Sequence, residues 1–334
     1  MSREESLQRF LKKIKKGSKA QNVLILGQYG SGKSTFINTV CASLSGEWEP
    51  YAYAGQSGGE GRQTTFHIRI IDTERCMPGC WRRKLPTLID TQGFEDNPQE
   101  IHRTLLEWLL NGYFSDGESI KKAADIYKEF EKAGLSGEKG LQAKYGFFKR
   151  RKVQIDRVVF VASAMSSLPQ NLLELVRNTT NSPNRAIPLY GVLTHVDKVN
   201  ERSDSFLRTR REFQNKLGLT NDRYLQCTNY CDDFYSEVHS RYHPCQDIDI
   251  PVIEFMTQVC NPVAITIHHK ITRRYNPCFK AGLVMCIISS LIMISIYFSK
   301  PDNFTHIDVF YLYYDFVIRH IIEIKEEPDI KHDN

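Results

Sequence analysis

Gly27-Gln28-Tyr29-Gly30-Ser31-Gly32-Lys33-Ser34 decides the fold. The stretch fits G-x-x-x-x-G-K-[ST], the phosphate-binding loop, and both flanks agree with it. Asn22-Val23-Leu24-Ile25-Leu26 before it reads as a buried strand, and Phe36-Ile37-Asn38-Thr39-Val40 after it has apolar residues at helical spacing. The glycines let the backbone wrap closely around a phosphate, which then faces main-chain N–H groups and a helix N-terminus. In this pattern Gly27, Tyr29, Gly30, Ser31, Gly32 and Thr35 belong to the loop and the start of its helix. Lys33 reaches the β- and γ-phosphates, and the Ser34 hydroxyl ligates Mg²⁺. The expectation is an α/β protein of P-loop NTPase type.

Outward from the loop, strands alternate with helices. Leu85–Ile89 reads as a strand ending in Asp90-Thr91-Gln92-Gly93. That is D-x-x-G at the C-terminal end of a strand, where open α/β sheets bind their ligands. A helix over 98–111 carries Ile101, Leu105, Trp108 and Leu109 on one face, and about 112–152 reads as a charged insertion with a helical piece near 119–133. Its Lys149-Arg150-Arg151-Lys152 run reads as a solvated end. Then follow the strand Val158–Val161, the helix Leu168–Thr179 and the strand Ile187–Leu193. A helix over 204–217, a strand near 223–227 and a helix over 249–261 complete the pattern. This alternation predicts a mostly parallel central sheet flanked by helices over residues 21–265, with right-handed crossovers. The glycine-rich stretch Gly55–Thr65 reads as a loop ahead of an alternating edge strand, Phe66–Ile70.

Thr194-His195-Val196-Asp197 follows a predicted strand where GTPases carry [N/T]-K-x-D. Guanine presents N1–H and a 2-amino group together, and a carboxylate accepts from both; adenine lacks that donor pair. Asp197 fills this role, with Thr194 opening the turn and His195 in place of the usual lysine. The chain therefore looks like a member of the GTPase superfamily. More narrowly, it resembles the interferon-induced protein 44 family of GTPase-like proteins over roughly residues 18–265. The residues that carry the resemblance are the phosphate loop, Leu193-Thr194-His195-Val196-Asp197, Leu110-Asn111-Gly112 and Thr228-Asn229-Tyr230. The resemblance implies a G domain, GTP/GDP binding with Mg²⁺, and a role in interferon-type, antiviral defence.

Hydrolysis is the weaker expectation. Many small GTPases place a glutamine after the D-x-x-G glycine to orient the attacking water. Here the residue is Phe94. Thr64 or Thr65 is the candidate hydroxyl closing on Mg²⁺ and the γ-phosphate, with the choice between them open. Asp90 holds Mg²⁺ through water and the Gly93 N–H senses the γ-phosphate, so that Ser34, Thr65 and Asp90 form the candidate metal set. Arg62 is a candidate arginine finger, though a lone loop arginine is more often solvated. Three readings stay open: a slow GTPase switch, raised by dimerisation or a partner; a nucleotide-binding scaffold that does not turn over; and an ATP-using phosphate-loop enzyme, which requires Asp197 to be incidental.

The net charge of +5 is mild for 334 residues, and no aromatic-plus-basic RNA motif is present, so nucleic acid is not an expected partner. A charged N-terminus argues against a secretory signal, and the nine cysteines then read as reduced cytosolic thiols. Their spacings, such as Cys76-x-x-x-Cys80, are not those of a strong zinc motif. Residues 2–16 read as a basic amphipathic helix with a capping box from Ser2 to Glu5 and an apolar face of Leu7, Phe10, Leu11 and Ile14. Lipid or partner contact and simple packing on the domain are equal alternatives for it.

Ala281–Phe298 is an uncharged run that spans ~27 Å as a helix, close to the ~30 Å hydrocarbon core. Lys280 and Lys300 bracket it, and Cys278 beside it is a candidate for S-palmitoylation. The expectation is a single transmembrane helix over 281–298, closer to the tail-anchored immunity-associated GTPases, with a tail over 299–334. Lys270, Arg273, Arg274 and Lys280 precede the run, which places the G domain on the cytosolic side.

Overall fold

β1 (Asn22–Gly27) explains the architecture, because its side chains divide between two cores. Leu24 and Leu26 join one apolar cluster and Val23 and Ile25 the other, as the period of two along a strand requires. The structure is a computed structural model that describes residues 1–15, 20–52, 67–77, 84–96, 100–146, 153–182, 185–231 and 245–261.

β1 pairs in parallel with β3 (Thr87–Asp90) on one side and β4 (Arg157–Ser163) on the other. β4 continues in parallel to β7 (Leu189–Thr194), and β7 to β8 (Tyr224–Cys227). β2 (Arg69–Asp72) lies antiparallel on β3, giving the order β2-β3-β1-β4-β7-β8. A short ribbon of β5 (Asn181–Ser182) and β6 (Arg185–Ala186) stands apart from this sheet. On one face the core is closed by α3 (Glu100–Leu110), α4 (Ile120–Lys132), α5 (Gly137–Leu141), α6 (Gln170–Thr180) and α7 (Asp204–Leu217). On the other it is closed by α1 (Arg3–Lys15), α2 (Lys33–Ser45) and α8 (Gln246–Val259). This is an α/β fold with a mostly parallel sheet flanked by helices.

The α1 helix begins with a capping box: the Glu5 N–H donates to Ser2 Oγ at 3.2 Å and the Ser2 nitrogen to Glu5 Oε2 at 2.8 Å. Its apolar face is covered within the domain, with Phe10 fully buried against the α2 and α8 cluster. Arg3 ties it down. Its Nε lies 3.4 Å from Asp249 Oδ2 on α8, and its Nη2 donates to the Ser43 carbonyl at 2.8 Å. Of the two alternatives for this helix, the packed one describes the structure.

Element boundaries shift in places. The edge strand occupies Arg69–Asp72 rather than 66–70, and the last helix begins at Gln246 rather than 249. Pro251 therefore lies inside that helix and forfeits a backbone hydrogen bond. Among the described residues, no helix is long and apolar enough to cross a membrane. The run 281–298, the 299–334 tail, Arg62, Thr64, Thr65, Cys278 and the Lys149–Lys152 run lie outside the described residues.

Candidate functional site

Four loops meet at the C-terminal rim of the parallel strands. The first leaves β1 at Gly27, where a Cβ would lie 2.1 Å from the Val161 carbonyl oxygen; only glycine fits against β4 there. The loop then folds around one of its own carbonyls. Gln28 O accepts from Ser31 Oγ at 2.8 Å, from Lys33 Nζ at 2.8 Å and from Ser31 N at 3.4 Å. Gly32 (φ 81°) turns the chain into α2, whose first turn holds Lys33, Ser34 and Thr35 and lacks a side-chain cap. Orphan N–H groups at such a helix start are donors for an anion.

Lys33 is 6% exposed. Burial lowers its pKa to about 8, with the Asp90 carboxylate pulling the other way. Negative charge brought close to a lysine held this far out of water favours its ammonium form. Asp90, ending β3, is fully buried, and the Ser34 hydroxyl donates to its Oδ2 at 2.7 Å. Its other oxygen, Oδ1, is buried with no hydrogen-bond partner among the described residues. Burial raises the Asp90 pKa, against the Ser34 hydroxyl and the Lys33 ammonium. An orphaned carboxylate oxygen beside a serine hydroxyl is a hard-oxygen set of the kind that holds Mg²⁺.

The D-x-x-G turn lies directly on the phosphate loop. The Phe94 N–H donates to Gly27 O at 3.1 Å, and a Cβ on Gly93 would come within 2.3 Å of Tyr29 N. Phe94 points into the core instead of toward the loop. A buried phenyl ring offers an attacking water nothing.

The third and fourth loops supply the opposite wall. Thr194, fully buried at the end of β7, donates its hydroxyl to Ser31 O at 2.8 Å. His195 follows at φ 57°, the one non-glycine residue with positive φ among the described residues. Its Nδ1 lies 2.9 Å from Ser163 Oγ. Asn229, after β8, donates from Nδ2 to Gly32 O at 3.3 Å, and the neighbouring Thr228 carbonyl faces Cys227 Sγ at 3.5 Å. The Asp197 carboxylate stands 3.6 Å from Lys198 Nζ and is 37% exposed. Its charge acts on His195 two residues earlier, on the same turn.

Sequence reasoning missed two participants. Gln28 acts through its carbonyl, which no side-chain pattern reveals. Ser163 belongs to no motif and meets His195 only because β4 and β7 are neighbours. Among the described residues, no group of three or more His, Cys, Asp or Glu is placed to hold a metal ion, and Cys80 lies outside them.

The mostly parallel sheet, with the G-x-x-x-x-G-K-[ST] loop after β1 and the D-x-x-G and T-x-x-D turns on the same rim, is an α/β arrangement. No protein-family model and no curated protein matches the chain. Among solved structures, it is similar to a dimerization-deficient mutant of Toc33 from Arabidopsis thaliana, at 17% identity over 77% of this chain and 91% of that one, with a TM-score of 0.41. Toc33 in complex with GDP and Mg²⁺ is 16% identical over 77% and 91%, with a TM-score of 0.39. Era in complex with MgGDPNP and part of 16S ribosomal RNA is 15% identical over 64% of this chain and 52% of that one, with a TM-score of 0.31.

Proposed function

We propose that this chain is a membrane-anchored, guanine-nucleotide-binding switch that holds GTP or GDP with Mg²⁺ and hydrolyses GTP slowly. One observation carries the reading: Lys33, Ser34 and the orphaned Asp90 carboxylate converge, buried, at the mouth of an uncapped helix. The donors of the loop and the Lys33 ammonium would bind the phosphates. Ser34 and Asp90 would hold Mg²⁺, with Thr65 as the third candidate ligand, and the ion would neutralise phosphate charge. Asp197 would select guanine, beside Thr194, His195, Thr228 and Asn229. Gly93 packs on the phosphate loop, so a γ-phosphate would have to displace the D-x-x-G turn, and that displacement is the switch. Slow turnover follows from Phe94, whose ring is spent on the core.

The membrane anchor is proposed from the apolar run 281–298 and a cytosolic G domain from the cationic residues before it. The immune, antiviral role is proposed from the family resemblance alone. A homodimer is the proposed route to faster turnover, and the mild net charge leaves nucleic acid out of the proposed partners.

The test is a titration of the full chain, in detergent with Mg²⁺, against labelled GTP, GDP and ATP. Guanine nucleotides should bind and ATP should not, and Lys33→Ala and Asp197→Ala should each weaken guanine-nucleotide binding. Equal competition by ATP with a silent Asp197→Ala would sink the guanine assignment. The second reading, a scaffold without turnover, is favoured by the same burial of Phe94. Single-turnover hydrolysis at low and high protein concentration separates the two.

A further inference from the structure

We propose that Ser163 is a positioning residue for His195, holding the imidazole in the tautomer that offers its Nε2–H to a bound nucleotide. The inference rests on the nucleotide-binding reading above and adds a residue to it. Ser163 closes β4 and is buried. Its Oγ accepts the Met165 N–H at 3.1 Å and lies 2.9 Å from His195 Nδ1.

Counting hydrogens assigns the ring. A buried hydroxyl has one hydrogen to give and needs an acceptor for it. Among the described residues, the acceptor within reach of Ser163 is His195 Nδ1. Thr194 Oγ1 is also 3.2 Å from that nitrogen, but its own hydrogen has the Ser31 carbonyl at 2.8 Å and the Ala162 carbonyl at 3.1 Å. Were Nδ1 protonated, it would donate to Ser163 Oγ, and the Ser163 hydrogen would have no acceptor among the described residues. Nδ1 therefore accepts, and the ring proton sits on Nε2, which has no hydrogen-bond partner among the described residues.

The ring is aimed at the loop. His195 Cε1 lies 3.5 Å from where a Cβ on Gly32 would stand, beside the start of α2. The backbone meets a strain of about 1–3 kcal/mol to keep a side chain at positive φ, and such strain persists only where neighbours hold it. Burial disfavours the imidazolium; Asp197 on the same turn opposes that and Lys198 reinforces it. Ser163, Thr194, Gly32 and Asn229 bring no charge to it. The usual lysine of this position is thus replaced by a neutral, oriented N–H donor.

The experiment uses the full chain in detergent with GDP and Mg²⁺, and histidine labelled with ¹⁵N. Variants are Ser163→Ala, Ser163→Thr, His195→Ala and the double Ser163→Ala/His195→Ala. Ser163→Ala should weaken GDP binding about fivefold to tenfold, the worth of one hydrogen bond. It should also raise the His195 titration midpoint, because the lost donor had favoured the neutral ring. Ser163→Thr should keep both properties, and Ser163→Ala should cost nothing further once His195 is alanine. An equal loss in the His195→Ala background, or an unmoved His195 midpoint, overturns the proposal and leaves Ser163 as packing. If Ser163→Ala does not fold, the threonine variant carries the comparison: a shifted midpoint there overturns it. If the wild-type chain binds no GDP, the nucleotide reading fails by itself, and the His195 midpoint alone then decides for or against Ser163.

Discussion

Under the proposed nucleotide binding, Lys33 is a buried group whose protonation a phosphate would change. In the free protein burial lowers its pKa to about 8, with the Asp90 carboxylate pulling the other way. A bound phosphate restores the ammonium, so binding above that pH takes up a proton. GDP affinity should therefore fall as pH rises past about 8, and calorimetry in buffers of different ionisation enthalpy should show the uptake. Lys33→Ala should weaken binding about 10- to 100-fold, the range for hydrogen bonds to a charged group, and abolish that pH dependence. Stability of the free protein runs in the opposite direction. The unfolded lysine keeps its proton to about pH 10.5, so this group's contribution grows as pH rises from 8 and is lost as pH falls back through it.

Between elements, two contacts separate function from support. Gly93 touches the phosphate loop so closely that Gly93→Ala must push the D-x-x-G turn away from Tyr29. Overpacking of this kind costs about 1–3 kcal/mol, read as a lower urea midpoint, and should leave the turn displaced in the nucleotide-free protein. The contact between α1 and α8 is of the supporting kind. Phe10 fills the core between α1 and its neighbours, and Phe10→Ala should cost about 3–5 kcal/mol in the same denaturation assay. The cost should appear without a change in nucleotide selectivity, since Phe10 belongs to the apolar cluster under α1, α2 and α8.

For the whole molecule, the proposal divides the chain at a compact unit, Met1–Val263, and the residues after it. Full-length chain should float with liposomes in a density gradient, and a chain ending at Val263 should stay at the bottom while still binding GDP. Flotation of the shorter chain would place membrane contact in the G domain and remove the role given to 281–298. Acid adds a check on folding. Burial holds His102 and His195 below the usual histidine value, so both are neutral in the native state where the unfolded chain is protonated. Native stability should therefore decline as pH falls below about 6.5, in thermal melts across that range.

The strand-to-loop-to-helix core was legible in the residues themselves. Val23 to Leu26 alternate between two cores, a requirement local enough to show in a short stretch, and G-x-x-x-x-G-K-[ST] follows from what a phosphate demands of a backbone. The 204–217 helix could be read off for the same reason: Ser203 caps it and Gly218 ends it, both by local geometry. The α1 face was visible as well, but not what covers it, since α8 lies at the far end of the chain. Nor could any motif single out Ser163, the Gln28 carbonyl or the unpaired Asp90 oxygen. Sequence alone determined which residues are candidates for phosphate and metal chemistry, because that chemistry selects residue types at fixed spacing. Only the tertiary structure decided which of them meet, because pairing β4 with β7 and laying β3 beside β1 brings together side chains that no local pattern connects.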